Sequence, residues 1–367
     1  MTQDQHSRAP EPVVLGWGTA LPEYSYNQTE VAAHLSQDLD PARARRLRAA
    51  FRGSRVTRRN SVLPDFAPDA EPRLFGGGVP TTAERLAVYE ECAPILGERA
   101  VRQALEASRV HPERLTHLIF VTCTGLVAPG PDQELVERIG LPLSIHRVQI
   151  GFQGCSAGLV ALRTATEIVR GDPGARVLVV SVELSSLHFQ DNLGEDDLRG
   201  HALFADGSGA AVVGMPGNGE AAGGHRISLG RGRSLLLPSA KGDMTWNIVS
   251  TGFRMRLTSK VPAALSEALP GFVEGFHREG REGIDHWAVH PGGPIILDSV
   301  ARTLDLPADS LTASRDVLRE CGNMSSATIF FVLARIAAEG SPGTGIAFAF
   351  GPGLTAEGLA FRLSETP

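Results

Sequence analysis

The 367-residue sequence predicts an α/β fold built from two halves of similar plan. Three observations lead there. Strand-sized apolar runs alternate with helical patterns through the middle of the chain. The same alternation returns in the last third, which suggests an internal duplication although no residue-level repeat is visible. A hydrophobic content of 42% over this length is enough for a substantial core.

The first element is an arginine-rich segment, residues 42–60, holding Arg43, Arg45, Arg46, Arg48, Arg52, Arg55, Arg58 and Arg59, which reads as a solvated helix face. Residues 63–80 are rich in Pro and Gly and read as an extended loop. Residues 84–110 carry a helical pattern with an expected break near Pro94. Then come a strand at 118–122, a helix at 132–139 and a strand at 146–151. From 156 to 169, Leu159, Leu162, Ala165, Ile168 and Val169 follow the helical period, and 177–182 is a buried strand. The second half offers a helix at 262–276, a strand at 287–290 and helices at 294–304 and 325–339. Strands at 346–350 and 359–363 close it, separated by a loop that opens Gly351-Pro352-Gly353. The expected division is residues 1–225 and 226–367.

Composition narrows the ligand class. The net charge is -6 and the sequence pI about 6.0, so the chain lacks the basic excess of a nucleic-acid binder, and small molecules are the expected ligands. Residues 1–12 are polar without an apolar h-region, and no apolar run is membrane-sized, so a cytoplasmic, membrane-free location is expected. Cys92, Cys123, Cys155 and Cys321 lie far apart without a CxxC pair, which argues against a zinc site or a disulfide framework and leaves four free thiols.

Three residues carry candidate chemistry. Cys155, in Gly151-Phe152-Gln153-Gly154-Cys155-Ser156-Ala157-Gly158, falls between a strand and the start of a long helix. Unpaired N–H groups and the helix dipole there favour a thiolate, although local context fits a buried structural cysteine equally well. His290 ends a strand before Pro291-Gly292-Gly293-Pro294, a placement that suits a site residue or a histidine bonded to backbone. Asn323 precedes a helix in Gly322-Asn323-Met324-Ser325-Ser326, where its amide is either a hydrogen-bond donor to substrate or a helix cap. Together they supply what a nucleophilic thiol needs, a base and an oxyanion donor, each at a junction into a helix.

The stretches GFQGCSAG, HPGGPIILD, GNMSSA and FGPGLTAEG resemble, in order and approximate spacing, the signature segments of chalcone-synthase-like enzymes, the type III polyketide synthases. The resemblance runs from about Val13 to the C-terminus. It implies a thiolase-like, duplicated five-layered αβαβα fold and an acyltransferase that extends an acyl-CoA with malonyl-CoA. Cys155 would hold the chain as a thioester in an imidazolium–thiolate pair with His290. His290 and Asn323 would hydrogen-bond the thioester carbonyl during decarboxylation. No metal or redox cofactor is implied. A homodimer is, with the loop around Ala128 near the partner's cavity.

The resemblance also maps a pocket. Phe204 falls on a gatekeeper, and Met255 on a second gatekeeper that is phenylalanine in the plant enzymes. Cys123, His188 and Trp246 replace threonine, threonine and glycine, and Ser325 joins them as a substrate-binding position. Cys123 is similar to bacterial tetrahydroxynaphthalene synthases primed by malonyl-CoA. The phrases Pro80-Thr81-Thr82-Ala83-Glu84-Arg85 and Asp243-Met244-Thr245-Trp246-Asn247 look more like alkylresorcinol and alkylpyrone synthases, the favoured product class. For CoA, Arg46 lies near a family phosphate position, Ala49 and Gly53 fall where basic residues are usual, and Arg52, Arg55 and Ile295 are the remaining expected contacts. A ketoacyl-synthase-like enzyme and a non-catalytic partner protein of the same fold are the alternatives.

Overall fold

The computed structural model describes residues 11–190, 194–217, 225–277 and 283–365. The first half begins with β1 (Val13–Ala20). The short pair β2 (Tyr24–Asn27) and β3 (Arg58–Ser61) then brackets α1 (Gln28–His34) and α2 (Pro41–Gly53). It continues through α3 (Thr82–Ser108), β4 (His117–Thr122), α4 (Pro131–Ile139) and β5 (His146–Gly151). Next come α5 (Ala157–Gly171), β6 (Arg176–Leu184), α6 (Glu195–Leu203) and β7 (Asp206–Gly214). The second half holds β8 (His225–Leu236), the hairpin β9 (Met244–Val249) and β10 (Gly252–Leu257), α7 (Val261–His277), β11 (His286–Val289) and α8 (Pro294–Thr303). It ends with α9 (Thr312–Cys321), α10 (Thr328–Glu339), β12 (Gly343–Gly351) and β13 (Thr355–Glu365).

Nine strands form one sheet in the order β11-β12-β13-β8-β1-β7-β6-β4-β5. The halves join where Val13 and Val14 of β1 pair with Ser228 and Ile227 of β8. Away from that seam the plan repeats. β4 runs parallel to β6, and β11 parallel to β12; β6 turns back into antiparallel β7, and β12 into antiparallel β13.

Burial explains the layering. Leu118, Phe120, Leu178 and Val180 alternate with Ile119, Val121, Val177 and Val179, so each strand supplies two cores, one per face. One core packs the first half's sheet against α3 and α4, another packs the second half's sheet against α7 and α8, and the central one encloses α5 and α10. That gives helix, sheet, helix, sheet and helix layers, the arrangement of a thiolase-like fold.

Two expectations change. No break occurs at Pro94, which lies buried inside continuous α3. The Thr81–Glu84 capping box fixes the start of that helix, and Tyr89, Ala93, Leu96 and Ala100 pack into the core. This burial outweighs a proline penalty of about 3 kcal/mol. The arginine run is not all solvated either. Arg59 is buried in β3, donates to Gln28 Oε1 and to the carbonyls of His201 and Ala202, and lies over the Phe51 ring.

Candidate active site

Cys155 occupies a 3-10 turn, Gly154–Ser156, between β5 and α5. The turn is tight: Phe152 and Gly154 both have φ of 57°, left-handed values that glycine adopts without strain. A Cβ on Gly154 would collide with Pro352 of the Gly-Pro-Gly loop, so that loop packs directly on the turn. Gly158, the second residue of α5, likewise admits the backbone of Ser326 from the Asn323 segment. The glycines of GFQGCSAG thus let three separate chain segments converge on one thiol.

His290 leaves the end of β11, its N–H bonded to Phe348 O at 2.9 Å, and is 1% exposed. Neither ring nitrogen has a hydrogen-bond partner, an unusual state for a buried imidazole. Asn323 is also buried. Its Oδ1 accepts from Ser325 N at 2.8 Å, which leaves the NH2 end of the amide for the cleft. Ser325 has a φ of 47°, and its Oγ lies 3.8 Å from Cys155 Sγ. Backbone strain at a non-glycine residue beside the thiol is typical of functional sites.

Cys155, His290 and Asn323 line one cleft with Phe204, Met255 and Ile296. Burial dominates the electrostatics of both the thiol and the imidazole. Burial pushes the Cys155 thiol up to about 12, opposed by hydrogen bonds from Ser325 and Asn323, and the nearby Glu183 carboxylate raises it further. Burial likewise pushes His290 down to about 3. Desolvation is the leading influence on both groups, and it disfavours charge on either one taken singly.

The pocket residues converge as well. Phe204 and Met255 line the catalytic cleft and both inner cavities, the position of a partition. Cys123, Trp246 and Ser325 line the cavity behind Cys155. Trp246 Nε1 donates to Cys123 O at 2.7 Å, and its ring meets His188 and Phe253 edge-on. His188 stacks on Phe253 with centroids 4.3 Å apart, its Nε2 2.7 Å from Thr124 O and its Nδ1 accepting from Phe253 N. Burial lowers its pKa to about 4.

A groove of about 920 Å³, open mouth included, leads outward from the cleft, sharing Leu203, Leu257, Gly292 and Ile296 with it. Ile295 lines it, as do Ala50, Gly53 and Ser54 of α2. Arg46 lies one and two turns before Ala50 and Gly53 on that face and is exposed. The other two expected CoA arginines are not among the residues lining the groove itself. Arg52 lines a separate cleft with Gln28, Ala32 and Phe51, because it lies on the opposite side of α2. Arg55 is ion-paired with Asp298 at 3.2 Å.

Sequence reasoning missed Glu183. This buried carboxylate on β6 accepts from Cys123 N at 3.0 Å, from Thr124 Oγ1 at 2.7 Å and from Ser326 Oγ. A lone acid in the apolar run Val-Leu-Val-Val-Ser-Val-Glu-Leu was the available signal. Among the described residues, no group of three or more His, Cys, Asp or Glu is placed to hold a metal ion.

Comparisons with known proteins bear on this constellation. The family description "Chalcone and stilbene synthases, N-terminal domain" matches residues 1–216, and the corresponding C-terminal domain matches 229–364. The chain is 33% identical over 361 residues to "Alpha-pyrone synthesis polyketide synthase-like Pks18" of Mycobacterium tuberculosis, covering 96% of this chain and 91% of that protein. It is 34% identical over 378 residues to "Type III polyketide synthase 21" of Oryza sativa subsp. japonica, covering 98% and 96%. Among solved structures, PKS-I from the brown alga Ectocarpus siliculosus superposes with a TM-score of 0.91 at 31% identity, covering 98% of this chain and 100% of that one. The C-terminal type III polyketide synthase domain of Steely1 from Dictyostelium gives 0.88 at 26%, covering 96% and 99%. Nearly the whole length and the fold agree: the chain belongs to the chalcone and stilbene synthase family, the type III polyketide synthases, and is an acyltransferase.

Proposed function

We propose that the enzyme extends an acyl-CoA starter by iterative decarboxylative condensation with malonyl-CoA on Cys155, and that the product is an alkylresorcinol or alkylpyrone. The observation that carries the reading is the convergence of Cys155, His290 and Asn323 on one cleft that opens to the surface through the groove. Cys155 Sγ attacks the starter's thioester carbonyl as its proton passes to His290, and the CoA sulfur leaves, taking that proton as the free thiol. Burial disfavours charge on either group alone, but the imidazolium and thiolate formed by that transfer stabilise each other where water is excluded.

Malonyl-CoA then loses carbon dioxide. The developing enolate oxygen accepts hydrogen bonds from the His290 ring and the Asn323 NH2. The enolate carbon attacks the acyl carbonyl on Cys155, the bond to Cys155 Sγ breaks, and the lengthened chain, now on CoA, is transferred back to Cys155 for the next round. The name of the mycobacterial relative, which refers to α-pyrone synthesis, supports the product class. The working unit we propose is a homodimer in which Ala128, exposed in this chain, approaches the partner's cavity, and the two halves divide near residue 225.

The test is mass spectrometry of products from malonyl-CoA with a panel of acyl-CoA starters, and with no starter. Products that need a medium or long acyl starter and vanish in Cys155→Ala are expected. Products persisting in that variant would remove Cys155 from the chemistry. An aromatic product from malonyl-CoA alone would replace the resorcinol or pyrone reading with the naphthalene-forming one.

A further inference from the structure

Between Pro41 and Asn60 the chain carries eight arginines and no acidic residue, although the whole protein has a net charge of -6. Seven of the eight, Arg59 excepted, are exposed. On α2 their positions divide by helical geometry. Arg43 and Arg46 share the side that supplies Ala50, Gly53 and Ser54 to the groove, while Arg45, Arg48 and Arg52 occupy the outer side, turned away from the groove, Arg48 and Arg52 at the rim of the cleft they share with Gln28, Ala32 and Phe51. Lys260 is exposed on the opposite bank, beside groove-lining Ser259 and Val261.

This distribution exceeds what a single CoA needs. The phosphates of one CoA in the groove would meet Arg43 and Arg46, the other groove-side residues of α2 being small and neutral. The outer arginines extend along a helix about 20 Å long and face solvent. Arg45 and Arg52 have no carboxylate partner among the described residues, Arg48 bonds only Ser36 Oγ at 2.9 Å, and Arg43 has a loose, exposed pair with Asp40. A persistent patch of one sign beside a deep channel suits a macromolecule of opposite charge, because such patches govern encounter and orientation. The groove adds a second condition. It ends at a thiol that accepts acyl groups, so its occupant presents a thioester on a thin arm.

We propose that the outer face of α2 docks an acidic carrier protein, whose phosphopantetheine-borne acyl thioester enters the groove as an alternative to free acyl-CoA. This rests on the acyl-transfer reading of Cys155. In the step, a bond forms between Cys155 Sγ and the acyl carbon, the bond from that carbon to the carrier's sulfur breaks, and the Cys155 proton ends on the departing pantetheine thiol. No oxidant or further reactant is required.

The experiment compares the full-length enzyme supplied with malonyl-CoA and the same acyl starter carried either on CoA or on an acidic bacterial acyl carrier protein. The wild type is compared with the double variant Arg45→Glu/Arg48→Glu. For carrier-borne starter, kcat/KM should fall by about tenfold or more in the variant and drop steeply with added salt. For acyl-CoA it should stay within about twofold, which also reports that the variant is folded. Carrier-borne starter that is not used by wild type while acyl-CoA is used, or equal losses on both substrates, would overturn the proposal. No product from either starter would instead overturn the polyketide reading beneath it. Arg45→Lys/Arg48→Lys should restore carrier use.

Discussion

Phe204 and Asn323 face each other across an isolated parallel β-bridge. Ala205 N donates to Asn323 O at 2.9 Å and Asn323 N donates to Leu203 O at 2.8 Å. The partition of the pocket and the amide beside the thiol are therefore held in register by main chain. Neither side chain is needed to position the other residue.

That separation makes Phe204→Leu informative. The bridge survives the substitution, so malonyl-CoA decarboxylation should continue within a few-fold of wild type while the wall between cleft and inner cavities is thinned. Product chain lengths and starter preference should shift. The stability change should be about 1 kcal/mol, since the ring is only partly buried. Product profiling by mass spectrometry beside a decarboxylation assay checks it. Parallel loss of both activities would mean that the ring itself supports the amide.

Trp246→Gly tests the back wall. The indole is held by Cys123 O and by its edge contacts with His188 and Phe253, so its removal opens the cavity behind Cys155 toward the His188 side. Longer polyketides or bulkier starters should be accepted. About 1–3 kcal/mol of stability should be lost through the missing hydrogen bond and ring contacts. An unchanged product profile at unchanged turnover would show that the growing chain never reaches this wall.

Acid should unfold the protein early. Burial depresses His290 to about 3 and His188 and His201 to about 4, from an ordinary 6.5. Groups buried neutral bind fewer protons folded than unfolded. Their stabilisation is complete above pH 6.5 and is lost as pH falls toward their folded values, by up to about 1.4 kcal/mol per pH unit for each. Asp206, raised by burial to about 6 from 3.8, acts oppositely: its penalty is largest at neutral pH and declines as pH falls from 6 to 3.8. Glu183, also raised by burial, acts in the same sense as Asp206, and the three histidines outweigh the two acids. Tm should therefore drop steadily between pH 6.5 and 4.5, and His201→Gln should flatten the slope. A Tm independent of pH across that window would contradict these burials.

What was readable in the sequence follows from where information is local. Cys155, His290 and Asn323 stood out because each lies in a glycine-containing junction whose purpose is to bring a side chain and a backbone together. Such purposes are written within a few residues. Arg59 was misread because its charge resembled its neighbours', and only β3 pairing with β2 turns it inward to Gln28. β7 went unread because Asp-Gly-Ser-Gly-Ala-Ala-Val-Val-Gly is buried along its whole length and shows no alternation. The continuity of α3 through Pro94 depends on long-range packing, which a local propensity rule does not contain. For Arg52 and Arg55 proximity in sequence carries little, because helix phase sets the cleft that Arg52 lines and the distant Asp298 pairs with Arg55.

Glu183 offers the last test, because one buried charge supports both the fold and the thiol. Its carboxylate accepts hydrogen bonds from Cys123 N, Thr124 Oγ1 and Ser326 Oγ, and Leu184 N donates to the same Thr124 hydroxyl at 2.9 Å. Glu183→Ala would leave these donors unpaired in the core and should destabilise by about 3 kcal/mol or more in urea unfolding. Glu183→Gln keeps an acceptor for Cys123 N and should cost about half as much or less. The two effects on Cys155 separate charge from packing. The Glu183 carboxylate raises the Cys155 pKa, so its neutralisation in Glu183→Gln lowers that pKa and should accelerate alkylation of Cys155 by iodoacetamide at a fixed pH near 8. Unchanged alkylation in a folded Glu183→Gln variant would mean that Glu183, whose own pKa is raised by burial, already carries its proton at that pH, and that the thiol is set by desolvation alone.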